Sequence, residues 1–215
     1  MSTARPTTIA GVRIPDSALA RDATQLVGDI STPLLFAHSR RVFLWGSLEG
    51  TRRRLEHDPE LLYVGSMFHD VGLLEGHRSA DERFEVDGAN EARRFLESRG
   101  LSEEQVMTVW LAIALHTTPG VTDYLQPEVR LVQFGAGYDV VGRNYDHVPA
   151  ELRDEVLAAH PRTGFKDGIV DAFYDGIKDK PLTAYGTMNS DILEAKDPSY
   201  VGPNMCALIR GSFAE

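Results

Sequence analysis

A chain of 215 residues, 42% hydrophobic and 25% charged, has an ordinary globular composition and is long enough for a single domain to enclose an interior site. No run reaches the ~20 apolar residues of a membrane helix, and the leading Met1-Ser2-Thr3-Ala4-Arg5-Pro6 lacks the apolar core of a secretory signal, so a cytoplasmic protein that does not bind membranes is expected. A net charge of −10 argues against nucleic acid as a partner, and the one cysteine, Cys206, excludes both an internal disulfide and a cysteine-based zinc site, leaving His and carboxylate as the available metal ligands.

In chain order, residues 1–30 read as a polar leading segment with one short helix over 17–27, started by Pro15 and Asp16. Ser31-Thr32-Pro33 then supplies a capping hydroxyl and a proline at the first helical position, and Leu35, His38, Val42 and Trp45 follow at helical spacing, which points His38 inward. The only basic run, Arg52-Arg53-Arg54, reads as a solvated helix end balanced by Glu56, Asp58 and Glu60. Asp58-Pro59-Glu60 opens the next helix, whose apolar run from Leu61 to Phe68 ends on His69-Asp70 before Gly72 and Gly76 break it.

A third amphipathic helix is predicted over 85–98. Ser102 with Gln105 forms a capping-box start for a fourth, whose stripe Val106, Val109, Trp110 and Ile113 ends at His116 or Thr117. Pro127 opens a fifth, on which Val132, Gly135, Ala136 and Asp139 share a face, the small residues leaving room for a ligand. Beyond Gly142 the pattern loosens into a turn over 144–148 and helices over 149–159 and 168–177, and strand signals are absent. The expectation is an all-α bundle, with an N-terminal segment over 1–30 and a domain over 31–215 whose site-bearing core is 31–145 and whose C-terminal helices follow over 146–215.

One histidine on an apolar helix face is more often a hydrogen-bonded core residue than a ligand. Asp139 changes that balance, because burying an unpaired carboxylate costs several kcal/mol. No Lys or Arg is evident on the same faces, so a divalent cation shared by His38, His69, Asp70 and Asp139 explains all these inward polar groups together.

These residues, His38, then His69-Asp70 with Val71-Gly72, then Asp139, resemble the H…HD…D signature of the HD superfamily over about residues 30–145. The resemblance implies a helical bundle around a metal site and names the four residues as its ligands. Thr32-Pro33, the segment Phe36-Ala37-His38-Ser39-Arg40-Arg41-Val42, Arg83-Phe84-Glu85-Val86-Asp87-Gly88-Ala89 and Asp139-Val140-Val141-Gly142 are most similar to the cyanamide hydratase group, and Lys180-Pro181-Leu182 continues the likeness. Many binuclear HD phosphodiesterases carry a further histidine just before the Gly-Ala pair, where this chain has Phe84 and Glu85. The departure favours one metal, although His116 stands near another second-metal position and Glu85 could act as an extra ligand.

That resemblance implies a hydratase: one divalent ion, zinc first and iron or manganese as alternatives, lowers the pKa of a bound water toward about 7. The hydroxide adds to the nitrile carbon of a small-molecule substrate such as cyanamide, giving urea. Asp70 or His116 is expected to shuttle the proton, since imidazoles exchange protons near neutrality, while Glu85 and Thr117 are expected at the substrate. Two alternatives stay open. One is an HD-type phosphohydrolase acting on a nucleotide or small phosphoester, which should present Lys or Arg, with Arg40, Arg41, Arg78 and Arg83 as candidates. The other is a non-catalytic binding domain stabilised by its metal. Homo-oligomer formation is equally open.

Overall fold

The computed structural model describes residues 7–212, and among them ten α-helices account for almost all regular structure. A strand pair that sequence patterning does not show comes first: β1 (Thr8–Ile9) and β2 (Val12–Arg13) pair antiparallel around Ala10 and Gly11, at φ 50° and 76°. Both turn residues adopt the left-handed φ of a tight two-residue hairpin, a local geometry too short to leave any alternation in the sequence.

The helix starts follow their capping residues. Ser17 Oγ accepts from the Ala20 amide ahead of α1 (Ala18–Ile30), and Thr32 caps α2 (Pro33–Arg53) with Pro33 in its first turn. The Asp58 carboxylate accepts from the Glu60 and Leu61 amides ahead of α3 (Pro59–Phe68). After α4 (Phe84–Glu97), both halves of the Ser102/Gln105 capping box form ahead of α5 (Glu103–Ala114). Next comes α6 (Pro127–Val141), which ends on Gly142 in the left-handed region at φ 68°. The remaining helices are α7 (Ala150–Ala159), α8 (Phe165–Ile177), α9 (Asn189–Lys196) and α10 (Met205–Arg210).

Helix α8 begins three residues before Gly168, the residue that reads as its start. Gly168 lies inside the helix, where Leu34 of α2 occupies the space its side chain would need. Helices α9 and α10 carry no readable periodicity.

Two apolar clusters meet at the site. The larger joins α1 through α6, including the fully buried Trp45, Tyr63, Phe68 and Leu131. The smaller joins α2, α4, α8 and α9 through Leu35, Phe84, Phe165, Phe173 and Leu193. Helix α1 belongs to the larger cluster, and its Thr24 hydroxyl lies 2.6 Å from the Tyr63 hydroxyl of α3.

Helices α2 and α6 cross with their backbones nearly touching. A side chain on Gly46 would meet the Leu131 carbonyl at 2.7 Å, and one on Gly135 would collide with the Val42 carbonyl, 3.0 Å from its carbon. Gly135 therefore accommodates the α2 backbone and not a ligand, which corrects the reading of its small side chain; Ala136 and Gly137 border the cavity described below. This crossing brings His38 and Asp139 within bonding reach. Gly135→Ala is expected to destabilise the fold by about 3 kcal/mol, because overpacking against a backbone cannot relax cheaply and outweighs the ~1 kcal/mol by which alanine is otherwise the better helix former. A urea midpoint equal to or above wild type would contradict this account.

Candidate metal centre

The HD pair stands where α3 stops. His69 is its C-terminal cap, Asp70 leaves helical geometry at φ −106° and ψ 6°, and a 3-10 turn over Val71–Leu73 carries the chain away. That turn lies against the start of α4, where a side chain on Gly72 would run into the Phe84 carbonyl and reach the Gly88 nitrogen at 2.7 Å. Only glycine fits there, so the sequence break after His69-Asp70 is also the packing that fixes it.

Three imidazoles surround Asp70, and each is held through Nδ1. His38 Nδ1 faces Asp139 Oδ2 at 2.7 Å, His69 Nδ1 faces the Ser66 carbonyl at 2.7 Å, and His116 Nδ1 faces the Ile113 carbonyl at 2.7 Å. Since each of those partners only accepts, each ring puts its proton on Nδ1 and turns an Nε2 lone pair inward. The Nε2 atoms of His38 and His69 are 3.1 Å apart, and they lie 3.5 and 3.2 Å from Asp70 Oδ2; His116 Nε2 lies 3.6 Å from Asp70 Oδ1. Both Asp70 oxygens are buried and accept no hydrogen bond.

Facing lone pairs beside a bare buried carboxylate are an arrangement that a cation satisfies and a neutral interior does not. One ligand atom from each of His38, His69 and Asp70 lies within 4.8 Å of the others, a group able to hold a metal ion. His116 stands against the same carboxylate, with its ring centroid 4.9 Å from that of His69.

The electrostatics match this geometry. Burial alone would raise the Asp70 carboxyl, but the charge and contacts of His69, His116 and His38 hold it well below its ordinary value. Burial also works against a charged His69, yet Asp70 and the Ser66 carbonyl outweigh it and raise the ring. His38 shifts the other way: burial dominates its Asp139 contact and lowers it.

Asp139 stands outside the group, where a shared fourth ligand was expected. Its Oδ2 faces the far side of the His38 ring, and both oxygens are already engaged: Arg41 donates Nε to Oδ1 at 2.9 Å and Nη2 to Oδ2 at 2.8 Å, and the Trp45 indole donates to Oδ1 at 2.9 Å. The expectation that no Lys or Arg shares these faces fails on Arg41, which is fully buried. Spacing could have shown it, since Arg41 is three residues after His38 on the same stripe. The contact with Asp139 orients the His38 ring and fixes its tautomer. His38 and Arg41 drive its carboxyl far down despite burial.

Glu85, expected at the substrate, does not line the cavity that opens from the cluster. Its fully buried carboxylate accepts from the Thr117 hydroxyl at 2.6 Å, Arg83 Nη2 at 2.8 Å and Asn189 Nδ2 at 3.4 Å, and burial is outweighed by Arg83, His116 and Thr117 so that its carboxyl sits low. Thr117 does reach the cavity. A second buried pair absent from sequence reasoning, Lys180 Nζ to Asp87 Oδ2 at 2.6 Å, ties the chain after α8 to α4.

The cluster opens into a cavity of about 240 Å³. His38, His69, Asp70, His116 and Thr117 form its polar end, and Ala136, Val140, Val141, Phe173 and Met188 its apolar walls, with Gln133 and Arg143 also lining it. A family model of the HD domain matches residues 35–149 of the chain. The chain belongs to the HD-domain family. HD domains are in general metal-dependent hydrolases, and the His38–His69–Asp70 group is where this one can hold its divalent ion. A comparison with curated proteins finds no match. Among the described residues, no helix of this HD domain is long and apolar enough to cross a membrane.

Behind Arg41, His160 is pushed down to about 4 by burial and by the charges of Arg40 and Arg41. An unfolded chain protonates this ring near its ordinary 6.5, so between about 4 and 6.5 the unfolded state binds more protons and stability rises with pH. His160→Gln is therefore expected to shrink the drop in urea midpoint between pH 7 and pH 5; an unchanged drop would assign the acid sensitivity to other groups.

Proposed function

We propose that this HD domain is a metal-dependent hydratase, adding water across the nitrile of a small neutral substrate such as cyanamide to give urea. A divalent ion, with zinc the first choice for a His and carboxylate donor set, supplies Lewis acidity that acidifies water at neutral pH. His38, His69 and Asp70 hold it, while Asp139 fixes the ring of His38. His116, against Asp70 Oδ1 and lining the cavity, carries the proton that must leave water's oxygen and arrive at the nitrile nitrogen as the new carbon–oxygen bond forms. Thr117 positions the substrate's amino group, its own hydroxyl fixed by Glu85. The isourea so formed tautomerises to urea.

The observation that carries this reading is the fate of the arginines. A phosphohydrolase needs cations to meet its phosphoryl group, yet the four arginines that the sequence offers for that role are committed elsewhere. Arg40 donates to the Tyr63 hydroxyl, Arg41 binds Asp139, Arg78 donates to the Asp175 carbonyl, and Arg83 binds Glu85. What remains at the cluster is a small cavity with mostly apolar walls, suited to a compact uncharged molecule. Arg143 lines the same cavity and favours the second reading, hydrolysis of a small phosphoester.

Purified protein incubated with cyanamide, a nucleotide panel and bis(p-nitrophenyl) phosphate separates the two, with elemental analysis of the same sample identifying the ion. Urea from cyanamide alone is expected. Release of phosphate or p-nitrophenol without urea would replace the hydratase with the phosphohydrolase.

A further inference from the structure

A second cavity, of about 280 Å³, lies on the other side of Asp139, and Arg153, Arg162 and Lys166 all face it. Three cations around one cavity are unexpected in a chain of net charge −10, and their compensation is incomplete. Among the described residues neither Arg153 nor Lys166 is ion-paired with a carboxylate. Arg153 lies over the Tyr145 ring at 4.0 Å and donates to the Tyr145 and Val148 carbonyls, contacts that hold the guanidinium in place without neutralising it.

Arg162 is equally fixed. Its Nη2 donates to the Asp139 carbonyl at 2.6 Å, its guanidinium covers Phe165 at 4.5 Å, and its Nε is buried with no acceptor. The one carboxylate in the cavity wall, Asp139, is 3.7 Å from that Nε and is already saturated by His38, Arg41 and Trp45. Arg162 and Lys166 flank the first turn of α8, which also carries Asp167 and lies beside the cavity wall.

We propose that this cavity is an anion site that takes a phosphate group, free or as a phosphomonoester, separate from the metal centre. Two arginine forks and a lysine match the charge and the several acceptor oxygens of a phosphate dianion. The exposed edge of Tyr145, beside Arg153, offers apolar contact to an organic group carried by that phosphate.

Calorimetric titration of the purified protein, with the metal content of each sample recorded, with inorganic phosphate and with phenyl phosphate at constant ionic strength, tests this. One equivalent is expected to bind to wild type and to Asp70→Asn alike, and at least 10-fold more weakly to Lys166→Glu and Arg153→Gln. Lys166 is exposed and makes no side-chain contact that folding needs, so its variant decides the matter if Arg153→Gln does not fold. Tighter binding of phenyl phosphate identifies an ester as the ligand, and equal binding identifies the free ion. No binding to wild type, unchanged affinity in Lys166→Glu, or loss of binding in Asp70→Asn would each overturn the proposal, the last by moving the phosphate to the metal centre. None of these outcomes depends on whether cyanamide is hydrated.

Discussion

Asp70→Asn is expected to abolish activity and to lower the bound metal from about one equivalent to less than a tenth, with helical circular dichroism unchanged. Asp70 is the one carboxylate that all three inward-facing imidazoles share, and neither of its oxygens is committed to a protein donor. Losing an outer-shell partner typically weakens metal binding 10–100-fold; losing the only anionic donor of the group should exceed that. The fold should survive, because the carboxylate makes no hydrogen bond that asparagine would break, and the turn that carries it is fixed by Gly72 against α4. In wild type, metal affinity should also weaken as pH falls, since protons compete for the ligands. With His69 raised by Asp70, that ring competes for a proton more readily than an ordinary histidine does. Elemental analysis and circular dichroism on the same samples check both parts, and a variant that keeps its metal would remove Asp70 from the ligand set.

How far this centre can be read from sequence depends on whether its determinants are local. Capping residues act over three or four positions, so Ser17, Thr32, Asp58 and the Ser102/Gln105 box announce their helices without any tertiary information. Periodicity likewise turns His38, His116 and Asp139 inward, and all three are buried. What periodicity does not give is the partner across the helix interface. Arg40 and Arg41 are adjacent and read alike, yet Arg41 is buried against Asp139, whereas Arg40 runs along α2 to Tyr63. Glu85 reads as an extra ligand or a substrate contact, yet besides its neighbour Arg83 it is engaged by Thr117 and Asn189, which come from chain segments 32 and 104 residues away. The last two helices span eight and six residues, too few turns for an apolar stripe to stand out.

The pairing of Arg41 with Asp139 has a second consequence, which is the largest stability effect expected in the molecule. The two side chains are 0% and 1% exposed, Arg41 also donates to the His160 and Pro161 carbonyls at 3.2 and 3.0 Å, and its guanidinium covers Phe165 at 4.8 Å. Removing one member of a buried pair strands the other charge in the interior, at a cost of about 3–5 kcal/mol. Arg41→Met should therefore lower the melting temperature by roughly 6–20 °C in a chain of this size. The Arg41→Met/Asp139→Asn double variant removes both charges, keeps an amide oxygen for His38 Nδ1, and should recover more than half of that loss, because a buried pair replaced as a unit is often nearly neutral. If the stranded charge is the cause, thermal unfolding of the two variants must differ in this direction. Equal melting temperatures would instead place the cost in the lost contacts to His160, Pro161 and Phe165. Metal content then separates stability from function: the double variant should regain stability, yet it should bind the ion more weakly than wild type, since a neutral amide polarises His38 less than the carboxylate it replaces.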